Sequence, residues 1–317
     1  GVWVAYTLAH VDSARDRYDS DVWMTRWDGT ANVRLTTSDE SESAPCWSPD
    51  GHLLAFLSKR QGAKAAQVWV LPLQGGESER VTDVKGGVSG VEWSPDGKRL
   101  ALLIEDAPPA ADSAAGHSKP IVVDRVVFKR DEKGYVDSLR THVWVLDVAA
   151  RKLTQVTTGD ADDEAIAWSP DGRRIAFVST REPGAERLAN SDVYVVDAKA
   201  GAVPRRLTTF AGSDEGPLSW SPDGARVAYR QTTEPKYFGY GGGFGTVAVV
   251  PASGGPPRLL AAALDRPVTG SGWARDGRGI VGMVADDMRV YPVRVRLDGS
   301  GVDRVPCELP VVDAIAD

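Results

Sequence analysis

Few residues of this 317-residue sequence have the types and spacing that bond-making chemistry requires. Of its four histidines, His52 follows a turn glycine, His142 begins a strand, and His10 and His117 sit in polar loops. None has a serine nucleophile to serve. No serine carries glycine both two places before and two places after it, so the GxSxG elbow is missing. Two cysteines, Cys46 and Cys307, are too few for a disulfide scaffold or a four-ligand zinc site. No histidine pair has the spacing of a metal motif, and the acidic stretches lack the DxDxDG calcium pattern. The expectation is a chain that is non-catalytic by itself, with no cofactor and no metal.

The remaining candidates are suited to binding. Acidic residues recur ahead of several tryptophans, as Glu42, Asp163 with Glu164, Asp214 with Glu215, and Asp265. In a ring of repeats, equivalent loops would gather them around one mouth of a central channel and focus a negative potential there. The plainer reading is a solvated face, and VKGGVSGVEW carries no acid at that place. A second group, Arg125, Lys129, Arg130, Lys133 and Arg140, alternates with Asp124, Asp131, Glu132 and Asp137. It reads either as a salt-bridged solvated hairpin or as a basic arm whose arginine fork holds a peptide carboxylate. The third is EPKYFGYGGGFG, residues 234–245, where Tyr237, Phe238, Tyr240 and Phe244 stand among glycines. Aromatics on such a loop suit peptide contact or domain docking, and equally plain loop packing.

The elements that position these residues come from a repeat. WSPDG begins at Trp47, Trp93, Trp168 and Trp220, and a degenerate WARDG at Trp273, so successive tryptophans are 46, 75, 52 and 53 residues apart. Ser-Pro-Asp-Gly is a turn: proline presets φ, aspartate hydrogen-bonds locally, and glycine takes positive φ. Its aspartate is therefore read as structural and its tryptophan as a wedge between repeats. After each turn come alternating strands, such as HLLAFLS then QVWVLPL, or RRIAFVS then DVYVVDA. A third strand ends in RVT, QVT or RLT, and the segment before the next tryptophan reads as a fourth. Six units can be traced, the first lacking only its WSPD. The fold class is all-β, a β-propeller of four-stranded blades occupying residues 1–317. PVVDAIAD at the far end resembles a fourth-strand segment, which either closes a six-bladed ring against the first unit or leads into a further, seventh blade.

Composition narrows the partners. Thirty-seven basic against 44 acidic side chains give a net charge of −7, which argues against nucleic acid. No run of about 18 apolar residues suggests a membrane span. GVWVAYTLAHVD makes no secretory signal; cytoplasmic residence is the expectation, with the natural N-terminus left open.

The spacing of 75 marks an insertion at about 105–141. EDAPPAADSAAGHSK reads as a flexible loop, IVVDRVVF as strand, and KRDEKGYVDSLR as a charged hairpin tip before THVWVL rejoins the blade. KPIVVDRVVFKRDEKGY and LDRPVTGSGW, together with the WSPDG blades, resemble the propeller of the prolyl oligopeptidase family of serine peptidases, particularly its acylaminoacyl-peptidase-like bacterial members. The resemblance covers essentially the whole chain. It implies an α/β-hydrolase domain, absent from these residues, that cleaves short peptides while the propeller gates access to it. Homo-oligomer formation is a further expectation. The alternative is a free-standing propeller like that of TolB, which shares the WSPDG repeat and binds proteins or peptides without a hydrolytic partner.

Overall fold

The computed structural model describes residues 2–13, 16–107, 123, 128–130, 134–135, 139–185, 190–232, 234, 236–237, 240–241, 244–286 and 289–305. They form a six-bladed β-propeller of antiparallel sheets. Sheet one pairs Trp3–Asp12, Arg17–Arg26 and Asn32–Arg34. Sheet two pairs Glu42–Trp47, Leu53–Ser58, Gln67–Pro72 and Glu79–Arg80, and sheet three Val88–Trp93, Arg99–Glu105, Thr141–Asp147 and Lys152–Gln155. Sheet four takes Asp163–Trp168, Arg174–Ser179, Asp192–Asp197 and Arg205–Arg206, and sheet five Asp214–Trp220, Arg226–Thr232, Gly245–Pro251 and Arg258–Leu259. Val268–Trp273, Gly279–Asp286, Arg289–Arg296 and Val302–Arg304 complete sheet six. Among the described residues helical conformation is confined to the turn at Ala185.

The strand before each tryptophan does not close the preceding unit, as the sequence repeat suggested; it opens the next sheet. The Ser-Pro-Asp-Gly turn is a tight connection between two strands that pair with each other, as Trp168 does with Ile175. These leading strands touch one another from sheet to sheet and so converge on the propeller axis. Sheet one correspondingly has three strands among the described residues, lacking a whole leading strand rather than a turn. PVVDAIAD lies outside the described residues.

The turn is built as its residues dictate. Ser169 Oγ donates to Asp171 Oδ1 at 2.5 Å and accepts from the Arg174 amide at 2.9 Å, while the Arg173 amide donates to the same aspartate at 3.1 Å. Ser48, Ser94 and Ser221 repeat the contact with Asp50, Asp96 and Asp223. The serine hydroxyl holds each of these carboxyls below the ordinary aspartate range. Gly172 follows at φ +64°, in the left-handed region that a side chain would strain. The aspartates are structural. Ser169→Ala removes two hydrogen bonds from a fully buried hydroxyl and is expected to cost about 1–2 kcal/mol, read as a fall in melting temperature with unchanged circular dichroism.

The core lies between sheets. Strand alternation sends Leu100, Leu102 and Ile104 against sheet two, and Ala101 and Leu103 against sheet four. Five apolar clusters in series join sheets one to two, two to three, three to four, four to five and five to six. The motif tryptophans are the wedges expected. Trp93, Trp168 and Trp220 are buried at successive junctions, and each indole N–H donates to the leading strand one sheet back: Cys46 O at 3.1 Å, Glu92 O at 3.3 Å and Ala167 O at 3.0 Å. Arg99, Arg174 and Arg226 lie over the rings of Trp168, Trp220 and Trp273, adding cation–π attraction to each junction.

Candidate functional site: one face of the propeller

In every four-stranded sheet the leading strand starts, the second strand ends and the third starts at the same end. The connections between second and third strands therefore emerge on the face opposite the Ser-Pro-Asp-Gly turns. Both irregular segments leave from there. One runs between Arg99–Glu105 and Thr141–Asp147 and includes a small hairpin in which Lys129–Arg130 pairs with Gly134–Tyr135. The other runs between Arg226–Thr232 and Gly245–Pro251, with Lys236–Tyr237 paired to Tyr240–Gly241. Phe128 and Phe244 are exposed on these segments, as is Lys129. Arg125, Lys133 and Phe238, and the side chains of Arg130, Tyr237 and Tyr240, lie outside the described residues.

The acidic candidates divide. Glu42, Asp163 and Asp214 begin leading strands on this face, but their side chains are fully buried and form no solvent-facing ring. They sit at the joints between sheets. Thr157 Oγ1 accepts from the Val143 amide at 2.8 Å within sheet three and donates to Asp163 Oδ2 at 2.5 Å in sheet four. Arg181 closes the far side of that carboxylate at 2.6 and 2.8 Å. Thr36, Glu42 and Arg60 repeat the arrangement between sheets one and two, each contact at 2.7 Å. Sheet three opens instead on Val88, and the corresponding threonine of sheet two, Thr82, donates within its own sheet to Gln67 Oε1 at 2.8 Å. A bulge near the start of the leading strand, after Ser43 and after Glu164, breaks the simple alternation that would aim these acids at the channel. Glu164 and Asp265 are exposed, and half-buried Glu215 pairs with Arg230.

Sheets four and five join differently. Thr208 and Arg206 face Asp192, with Arg206 at 2.8 Å, and the buried carboxyl of Asp214 lies beside the Thr208 hydroxyl. Burial, which penalises the charged form, pushes Asp192 up to about 6 and Asp214 up to about 8.

Arg140 is not available to hold a substrate carboxylate. Its side chain is almost wholly buried, bonded to Asp160 at 2.7 Å and to Leu139 O, while its amide donates to Asp106 and its carbonyl accepts from the Asp106 amide. It clamps the two feet of the insertion together. His142 beside it is wedged between Asp106 and Asp163, 3.8 Å from each. Arg60, Arg181 and the threonines were missed by the sequence reading, although a Ser-x-Arg ending on second strands, Ser58 to Arg60 and Ser179 to Arg181, was there to be seen. No group of three or more His, Cys, Asp or Glu among the described residues could hold a metal ion, and no described helix is long and apolar enough to cross a membrane. What the face offers is contact: a charged hairpin and an aromatic one, each rooted in a rigid sheet.

Fold and face together define a propeller whose third and fifth sheets each carry a short hairpin in the connection between second and third strands, on a single side. Residues 123–236, which contain the charged hairpin, match the dipeptidyl peptidase IV (DPP IV) N-terminal region. The chain is 27% identical over 300 residues to dipeptidyl-peptidase 5 of Porphyromonas gingivalis, covering 88% of this chain and 42% of that protein. It is 28% identical over 201 residues to the uncharacterized peptidase YuxL of Bacillus subtilis, covering 62% of this chain and 30% of the relative. It superposes on Pyrococcus horikoshii acylaminoacyl peptidase with a TM-score of 0.69 at 18% identity, over 96% of this chain and 44% of that one. Over residues 123–236 the chain is thus similar to the dipeptidyl peptidase IV N-terminal region, and as a whole it shares the fold of the acylaminoacyl peptidase propeller. It spans less than half the length of each of these three relatives.

Proposed function

We propose that this propeller is the gating and substrate-selecting part of a serine peptidase that hydrolyses short peptides, with its hairpin-bearing face turned toward an α/β-hydrolase domain. The observation that carries the reading is that the dipeptidyl peptidase IV match begins at residue 123, inside the very insertion that joins the second and third strands of sheet three on this face. Dipeptidyl-peptidase 5 and YuxL are both named as peptidases, which favours this over a free-standing binding propeller. A ring of packed sheets excludes folded chains, and charged and aromatic groups at its rim can hold an extended one. Lys129 and Arg130 are the side chains assigned to a peptide carboxylate; Arg140 positions the arm.

The test is to join the chain to an α/β-hydrolase domain and compare it with the chain alone. The chain alone is expected to turn over no peptide, ester or acylamino-acid substrate, and the joined protein to cleave short peptides. Deleting residues 129–137 should leave the propeller folded and change the preferred substrate length. Lys129→Ala or Arg130→Ala should weaken peptide binding by about 1.5–3 kcal/mol, the scale of a charge-assisted hydrogen bond. Turnover by the homogeneous chain that a serine reagent abolishes, or kinetics untouched by the deletion and both substitutions, would refute the gating assignment.

A further inference from the structure

Two joints carry the same pair of buried acids and answer them differently. Between sheets one and two, Asp21 precedes Val22, whose amide donates to Thr36 Oγ1, and the Thr36 hydroxyl donates to Glu42. Two arginines meet the acids, Arg34 on Asp21 at 2.6 Å and Arg60 on Glu42 at 2.7 Å. Between sheets four and five, Asp192 precedes Val193, whose amide donates to Thr208 Oγ1, and the Asp214 carboxyl lies beside the Thr208 hydroxyl. Arg206 is the counterpart of Arg34 and bonds Asp192 at 2.8 Å. Its other donors go to Glu182 at 3.0 Å and to Thr208 O at 2.7 Å. No arginine stands where Arg60 does. Arg60 comes two residues after Ser58, the cross-strand partner of Glu42, whereas Asp214 pairs with Gln231 and the sequence two residues on has Thr233. Asp192, Asp214 and Glu182 against the one guanidinium of Arg206 leave this joint two negative charges in excess.

A second observation comes from the facing row. Asp214, Gln231 and Thr246 pair in register across sheet five, on the side that Tyr229 and Ala248 turn toward sheet four. All three are buried. Gln231 Oε1 accepts from the Tyr229 hydroxyl at 3.0 Å, but Thr246 Oγ1, in a residue only 2% exposed, has no hydrogen-bond partner. A buried hydroxyl is costly in that state unless something takes up its oxygen. We propose that the joint of sheets four and five is a calcium site, with Asp192 and Asp214 as its carboxylate ligands and the hydroxyls of Thr208 and Thr246 on its wall. The donors are hard oxygens, charged and neutral, the set that calcium accepts in irregular arrangements and that magnesium, which demands near-ideal octahedral geometry, does not. A charge of two matches the excess left by Arg206, and it compensates buried carboxylates that would otherwise bear the full penalty of desolvation. Two acids completed by neutral oxygens suffice, so no third acidic ligand is needed. The ion does between sheets four and five what Arg60 does between sheets one and two. None of this rests on the peptidase reading.

The experiment is calcium titration of the full chain after treatment with a chelator and transfer to calcium-free buffer. Calorimetry is expected to show one calcium ion bound per chain, and saturating calcium chloride to raise the melting temperature by at least about 3 °C. Asp214→Asn keeps the shape of the side chain and removes its charge. It should weaken calcium binding at least about tenfold and cancel the calcium-dependent rise in melting temperature, with circular dichroism unchanged. Thr246→Val removes a neutral oxygen without adding or removing charge, so it tests the site even if Asp214→Asn does not fold, and should weaken binding at least about threefold. Glu92→Gln alters a carboxyl of sheet three that faces sheet four through the Trp168 amide, and should bind calcium as the parent does. Lack of stoichiometric binding at about 1 mM calcium, magnesium bound as tightly as calcium, or calcium binding that survives both Asp214→Asn and Thr246→Val would each overturn the proposal.

Discussion

Arg181→Ala will destabilise the propeller by about 3–5 kcal/mol, the usual cost of stripping one partner from a buried ion pair. Asp163 is fully buried and receives Arg181 through two short contacts and Thr157 through a third. Without the guanidinium a carboxylate stays at the joint of sheets three and four with the Thr157 hydroxyl and, at 3.8 Å, the His142 ring beside it. Because the joint links two blades, the loss weakens packing on both sides, and the melting temperature should fall by roughly 6–15 °C. Arg80→Ala is the control. Its partner Asp83 is 85% exposed at 3.7 Å, a surface pair whose removal costs less than about 0.5 kcal/mol. Equal losses in the two variants, measured by thermal melts under identical salt, would show that the joint contributes no more than a surface contact.

The second large effect is one of pH. Asp214 and Glu92 are both held up to about 8 by burial, and Asp192 up to about 6. A carboxyl with a raised folded value keeps its proton where the unfolded chain has released it. Its folded form is therefore favoured least above its folded value and progressively more as pH falls toward the unfolded one. Between about pH 5 and 8 the stability of the propeller should decline as pH rises, by on the order of a few kcal/mol in all. The turn aspartates work in the opposite sense at lower pH. Asp50, Asp96, Asp171 and Asp223 lie below their ordinary values, so their contribution is present at neutral pH and lost only on acidification below about 4. Asp214→Asn with Glu92→Gln keeps the shape and removes both charges, and should flatten the alkaline limb while raising stability at pH 8. Denaturant unfolding at several pH values reads both, and a double variant whose curve runs parallel to the parent would disprove the assignment.

Much of this molecule is set by local chemistry and could be read directly. Ser-Pro-Asp-Gly makes its own turn whatever surrounds it, because the serine, proline and glycine each act on their own backbone. The two-residue alternation of HLLAFLS or RRIAFVS states which side chains leave a strand on which side. The position of the insertion and its charged hairpin were legible for the same reason, as breaks in a regular period. What the repeat left open was where one sheet stops and the next starts, since cutting a cyclic pattern at the tryptophan or before it gives equal periodicity. Only the pairing of Trp168 with Ile175 across the turn decides it. The acids were misplaced because their surroundings come from other blades. Glu42 and Asp163 are at strand starts in sequence, where solvent is the ordinary neighbour, yet a bulge and an arginine and threonine distant in the chain convert them into buried joints. Arg140 has the composition of an arm and the burial of a foundation. The sequence by itself therefore determined the turns, the strands and the ring they form. The tertiary structure decided which charges face water, because burial depends on what the neighbouring sheet brings, and no single repeat contains its neighbour.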